Sequence, residues 1–319
     1  MEAMKKPGTI AMVLILVVSG IGIGSWIWSS NDYELLSPAY APGQRQSEPR
    51  SCARIVSMAP SITETLFALG LGANVVGVSR YCNYPPGVKQ KADVGGFFDP
   101  NYEAIVSLAP TVVMVLPSHA DQMVQLLQLD LQLLEVNQTK LGDIQRSVNQ
   151  LGKICGVEQA ATRLAAALGG VEERITRKVS GLPRPGVLIV VDREMGTGTI
   201  REVFVAGKNT FYDDLVKQAG GQNVYAGKLV EYPTLTAEGI VRVNPQVIVE
   251  IVPQLAKTEL SKDVVTRDWD SLPELNAVRD KRIFIFTESH VAVPGPRYVL
   301  LLEQFARVMH PEVDWDGDE

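Results

Sequence analysis

The chain has 319 residues, enough for about two domains. Hydrophobic residues make up 46% and charged residues 21%, which excludes a disordered chain, a collagen and a polytopic membrane protein. The formal charge is −6. Phosphate binding needs a basic face, so a nucleic-acid partner is disfavoured.

The first element is an export segment. Lys5 and Lys6 precede residues 9–28, a run of 20 residues without a charge. About 20 apolar residues cross a bilayer, with the lysines on the cytoplasmic side and Trp26 and Trp28 at the far interface. The segment is either a long signal peptide or an uncleaved anchor. The anchor is the stronger reading, because a cleaved peptide has a shorter apolar core and a small-residue cleavage site. Both readings export the body to the periplasm or the outer face of the cytoplasmic membrane. Residues 29–51 carry Pro38, Pro42, Gly43 and Pro49 without apolar periodicity and read as a linker.

From residue 54 short apolar runs alternate with helical patterns. Residues 54–58, 75–79, 112–116 and 131–136 read as buried strands. Residues 61–69, 101–108, 120–129 and 141–154 read as helices. Ser61 followed three residues on by Glu64 predicts a capping box at the first helix. A 22-residue helical stretch, 158–179, then runs without a strand, long enough for about 33 Å of helix. Beyond it, strands at 187–191, 247–251 and 283–286 alternate with helices at 211–219, 237–243 and 297–308. Strands alternating with helices predict parallel sheets covered on both faces, an α/β fold.

The two halves repeat. Glu103-Ala-Ile-Val-Ser-Leu-Ala-Pro110-Thr-Val-Val aligns with Glu238-Gly-Ile-Val-Arg-Val-Asn-Pro245-Gln-Val-Ile at an offset of 135 residues. Each block is a short helix, a proline that stops it, and a buried strand. Each glutamate falls in a first helical turn, where the helix dipole favours a carboxylate, and each has an aromatic six residues before it, Phe97 and Tyr232. Two similar α/β lobes leave a cleft between them, a preferred place for a ligand. The three cysteines, Cys52, Cys82 and Cys155, cannot all pair within the chain. Free thiols are the simplest reading, and a Cys82–Cys155 bridge is one arrangement left open.

Arg54-Ile-Val-Ser-Met-Ala-Pro-Ser-Ile-Thr-Glu64-Thr-Leu-Phe-Ala-Leu-Gly70 resembles the opening strand and helix of substrate-binding proteins of cobalamin and ferric-siderophore ABC importers. Val75-Val-Gly-Val-Ser-Arg-Tyr81-Cys-Asn-Tyr84-Pro is similar to the segment that follows in the cobalamin branch. Val94-Gly-Gly-Phe97-Phe-Asp-Pro-Asn-Tyr-Glu103 and Pro294-Gly-Pro-Arg297 extend the likeness over about residues 53–311. The resemblance implies two α/β lobes, 53–157 and 181–319, bridged by one rigid helix over 158–180, after an export segment 1–28 and a linker 29–52. It implies a monomeric carrier without a cofactor of its own, which captures a corrinoid and delivers it to an ABC permease dimer. It also places Glu103 and Glu238 where one glutamate per lobe docks onto permease arginines, and Tyr81, Phe97 and Tyr232 among the aromatics lining the cleft. Rigid aromatics suit the flat apolar face of a corrin.

His290 and Arg297 lie in the loop after the 283–286 strand, at the carboxyl edge where α/β sheets bind ligands. Arg297 suits the polar edge of a tetrapyrrole and His290 an axial metal position; His119 and His310 are weaker candidates. Phe97, Tyr232 and His290 differ from the aromatics of a cobalamin binder, so haem and ferric siderophores stay open as ligands. An enzyme is disfavoured. No nucleophile elbow, P-loop or zinc motif is present, and Gly196-Thr-Gly198 lacks dinucleotide spacing. An anchored sensor without transport is the remaining alternative.

Overall fold

The computed structural model describes residues 52–227 and 229–317. The apolar run 9–28 and the linker 29–51 lie outside the described residues. No helix among the described residues is long and apolar enough to cross a membrane.

The first lobe runs β1 (Ile55–Ser57), α1 (Pro60–Ala68), β2 (Val75–Val78), β3 (Ala92–Asp93), α2 (Tyr102–Ser107), β4 (Val112–Val115), α3 (Ala120–Gln128), β5 (Leu133–Glu135) and α4 (Leu141–Cys155). Its five strands lie in the order β3-β2-β1-β4-β5, and every pair is parallel. Successive side chains of a strand point to opposite faces. Ile55, Val112 and Met114 therefore join α1 and α4 in one core, while Val56, Val113 and Val115 join Ile105 and Leu126 in another. The α/β layering expected from the alternation is present.

A single helix, α5 (Glu158–Val179), leads to the second lobe. There follow β6 (Gly186–Asp192), β7 (Glu202–Val205), α6 (Phe211–Gln218), β8 (Gln222–Asn223), β9 (Thr234–Thr236), α7 (Ala237–Val243), β10 (Val247–Ile251), α8 (Lys262–Arg267), α9 (Asn276–Arg279), β11 (Ile283–Phe286) and α10 (Tyr298–Met309). The order is β11-β10-β6-β7-β9, with β8 also on β6. Here β7 runs antiparallel to both neighbours. Strands β3, β7, β8 and β9 are not among those expected from the sequence and are only two to four residues long.

The lobes share apolar packing at their junction. On α5, Ala161 belongs to the first lobe's core, whereas Leu168, Ile175 and Val179 belong to the second's. Leu164 packs against both. Leu141 and Ile144, at the start of α4, also reach into the second lobe's core. Beside them the Tyr298 hydroxyl donates to Glu172 Oε1 at 2.6 Å, and Gln145 Nε2 donates to Glu172 Oε2 at 2.8 Å. One carboxylate on α5 thus gathers a helix from each lobe.

Two local expectations are corrected. The cysteines are not all free thiols: Cys52 pairs with Cys155, which also sets aside the Cys82–Cys155 arrangement left open, and Cys82 is a free thiol. Cys52 lies just before β1 and Cys155 closes α4, so the pairing follows tertiary proximity rather than spacing. The capping box does not form either. The helix α1 starts at Pro60 with Ala59 at the cap and no side-chain cap bond, so Ser61 lies inside the first turn, and the Glu64 carboxylate pairs with Arg297 instead.

Candidate functional site

Loops at the carboxyl ends of β1 and β2 meet the loop after β11 from the other lobe. The contact is close. A Cβ placed on Gly295 would lie 3.3 Å from Ser61 Cα and 3.4 Å from Glu64 Oε2. Arg297, at the cap of α10, donates from Nε to Glu64 Oε2 at 2.8 Å and from Nη2 to Glu64 Oε1 at 2.5 Å. Its Nη1 donates to Ser289 Oγ at 3.2 Å, and its Cζ stands 3.9 Å from the centre of the Tyr84 ring. Planar guanidinium geometry suits this combination of a forked carboxylate and a stacked aromatic. Burial pushes the Glu64 carboxyl up, and Arg297 offsets part of that rise.

The first lobe's wall is built from two tied loops. Arg80 Nη2 lies 3.0 Å from Asp99 Oδ2, and Arg80 N–H donates to Gly95 O at 2.9 Å. Gly95 has φ +92°, and a Cβ there would come within 2.5 Å of Asp99 O, so only glycine closes this turn. The turn leaves Phe98 exposed and turns Phe97 inward, 4.7 Å from the Phe98 ring and 4.4 Å from His119. Tyr81, Tyr84 and Phe98 are the exposed rings of these loops. Cys82 sits beneath them, 3.2 Å from Thr63 Oγ1, and burial pushes its thiol up. It is therefore no activated nucleophile.

In the second lobe, Tyr232 packs against the main core and bonds Thr210, so only part of its ring is available. His290 is buried, and its ring pairs with the Gln304 side chain. Burial first, then Arg297, holds its pKa below the usual histidine value, so the imidazole is neutral at pH 7. His119 is fully buried; its Nδ1 accepts from Leu116 N–H at 3.1 Å, and burial lowers its pKa to about 4. His310 is buried beside Glu312. Among the described residues no three His, Cys, Asp or Glu side chains are grouped to hold a metal.

A buried charge cluster lies at the carboxyl end of β6. Arg193, just after β6, donates to Glu250 at 3.0 to 3.2 Å and to Asp268 Oδ2 at 2.6 Å, all fully buried. Trp269 Nε1 also donates to Glu250. Asp268 accepts the N–H groups of Gly196 and Gly198 at 2.7 and 2.6 Å. The Gly-Thr-Gly motif thus folds a loop onto a carboxylate. Asp192, ending β6 and half-buried, has its carboxyl pushed up to about 6 by burial.

Glu103 and Glu238 are exposed in the first turns of α2 and α7. Asn101 Oδ1 accepts from Ala104 N–H, and Thr236 Oγ1 from Gly239 N–H, so each helix start is fixed by its cap. Sequence reasoning missed Phe98, Glu64 and Asp192. Phe98 is adjacent to a buried ring of the same type, the signal for Glu64 was absorbed by the capping pattern, and nothing local marks Asp192.

Two α/β lobes joined by one helix, with loops meeting across a cleft, define a two-lobed solute-binding protein. A model of the periplasmic binding protein family matches residues 55–289, and the chain belongs to that family. It is 28% identical over 267 residues to the uncharacterized ABC transporter substrate-binding lipoprotein YvrC of Bacillus subtilis, covering 81% of this chain and 80% of that one. It is 25% identical over 266 residues to the vitamin B12-binding protein of Yersinia pestis, covering 82% and 87%. The structure of the periplasmic heme-binding protein RhuT from Roseiflexus sp. RS-1 superposes with a TM-score of 0.69 at 26% identity, covering 81% and 98%.

Proposed function

We propose that the protein is an extracytoplasmic carrier that captures a corrinoid in the cleft between its lobes and delivers it to an ABC importer permease. The observation that carries this reading is the exposure of Tyr81, Tyr84 and Phe98 on the loops after β2 and β3, which we read as an aromatic wall offering flat apolar contact area at low entropy cost. Phe97 buttresses that wall from behind, while Tyr232, His290 and Arg297 belong to the facing lobe. The likeness to a vitamin B12-binding protein supports the corrinoid, and the Cys52–Cys155 bridge fits an oxidising compartment. For delivery, Glu103 and Glu238 stand at equivalent exposed helix starts, one per lobe. They suit bidentate pairing with arginines on a two-fold permease. Haem is the second reading, favoured by the imidazole of His290, whose pKa burial holds below the usual histidine value, in the loop beside Arg297.

The test is titration of the purified body with cobinamide, haemin and a ferric catecholate, followed by visible absorption and calorimetry. Cobinamide is expected to saturate one site at micromolar concentration or below, about 8 kcal/mol or more. No saturation by cobinamide alongside tight binding of either other chelate contradicts the corrinoid reading.

A further inference from the structure

The Glu64–Arg297 pair joins residues 233 positions apart and on different lobes. Its location is the edge where the proposed ligand enters. Arg297 is the cation expected to meet an acidic ligand edge, yet its Nε and one N–H of Nη2 are committed to Glu64, and Nη1 turns to Ser289. Tyr84 covers one face of the guanidinium. The Glu64 side chain is almost entirely buried and that of Arg297 largely so. The close approach of Gly295 to Ser61 and Glu64 presses the loop against α1.

We propose that Glu64 sets the ligand specificity of the cleft by neutralising Arg297, so that the site selects chelates with uncharged amide edges over chelates bearing carboxylates. The inference rests on the proposed carrier function and names the chemical class its cleft prefers. A ligand carboxylate reaching Arg297 must displace Glu64, leaving a buried carboxylate without its cation. Otherwise it must settle beside Glu64, with two anions sharing one guanidinium. Both routes are costly in a site shielded from water. An amide carbonyl meets neither penalty, because the uncommitted N–H groups of Nη1 and Nη2 serve a neutral acceptor. Cobinamide, whose corrin edge is amidated, is the matching probe. Haemin, whose edge carries two propionates, is the mismatched one.

The experiment measures haemin and cobinamide affinities by spectral titration for the wild type, Glu64→Gln, Arg297→Gln and the double variant, with a melt of each to confirm folding. Glutamine keeps the shape of Glu64 and a bond to Arg297 but releases the positive charge. Glu64→Gln is expected to shift the haemin-to-cobinamide affinity ratio toward haemin by about tenfold or more, and Arg297→Gln added to it is expected to abolish that shift. An unchanged ratio in a folded Glu64→Gln protein, or a shift that survives loss of Arg297, overturns the proposal and leaves the pair as a staple between lobes. The wild-type ratio is a separate reading. A wild type that prefers haemin contradicts the corrinoid assignment, while the change caused by Glu64→Gln still decides what Glu64 does.

Discussion

From α2 to α7 and from β4 to β10 the chain advances 135 residues and repeats itself in three dimensions. Ile105 and Ile240 are both fully buried under these helices. Asn101 and Thr236 cap the helix starts. Ala109 and Asn244 both turn left-handed, with φ 44° and 40°, immediately before Pro110 and Pro245. The interiors then part company. At one equivalent position, buried in both sheets, the first lobe has Val115 and the second has Glu250. A carboxylate inside a sheet needs a cation and donors, and Arg193 and Trp269 supply them. The first lobe is fastened instead by Cys52–Cys155. Backbone punctuation can thus be shared by two lobes while the means of fastening each lobe differs: a covalent bridge before β1 in one, a buried charge cluster after β6 in the other.

The bridge closes a loop with a sequence separation of 103 residues, for which the chain-entropy model gives about 5 kcal/mol. Cys155→Ser is expected to lower stability by about that amount. Hydrogen exchange should show the loss first in the first lobe, and equal loss in both lobes would break the contrast. In the second lobe, Arg193→Met leaves Glu250 and Asp268 buried without their cation and should cost about 3–5 kcal/mol in denaturant unfolding. Arg193→Met with Glu250→Val, the first lobe's residue at that position, should recover part of it. No recovery would mean that Glu250 is not the source of the cost.

His119 sharpens the comparison through pH, since residues 252–255 after β10 hold no histidine. The folded imidazole protonates only near pH 4, while the unfolded one does so near its usual value of about 6.5. The unfolded chain therefore binds more protons between those values, and stability falls as pH drops through them. The loss is about 3 kcal/mol at most below pH 4, and His119→Gln should remove that part of the acid slope. The smallest effect tests the shared turn. Ala109→Gly relieves a left-handed alanine and should raise Tm by about 2–4 °C. Asn244→Gly should gain little or nothing, because asparagine tolerates that conformation and its Oδ1 accepts from Asn276 N–H at 2.9 Å.

Much of this plan was legible because it is written locally. Continuous β-branched runs marked β1, β4, β6 and β10, and a proline after each repeated helix marked the stops. What stayed hidden depends on partners far along the chain. Ser61 and Glu64 carry the spacing of a capping box, and only Arg297 decides that Glu64 serves elsewhere. Cys52 finds Cys155 through the packing of α4 against β1. Phe97 and Phe98 are chemically alike, and only the folded turn at Gly95 shows which ring is buried and which exposed. Helix starts at Glu103 and Glu238 were readable because a first-turn acid and a proline stop lie close together in each repeated block.

In the proposed function this two-lobed protein captures a chelate in its cleft and hands it on through one glutamate per lobe. The direct measurement takes Glu103→Ala, Glu238→Ala and the double variant. It compares cobinamide affinity with uptake of radiolabelled cobinamide into membrane vesicles from the producing cells. Affinity within about twofold of wild type, with uptake reduced at least about tenfold by each single change and further by the pair, is the expected result. Uptake unchanged in the double variant would contradict the account and leave both carboxylates as helix-start residues.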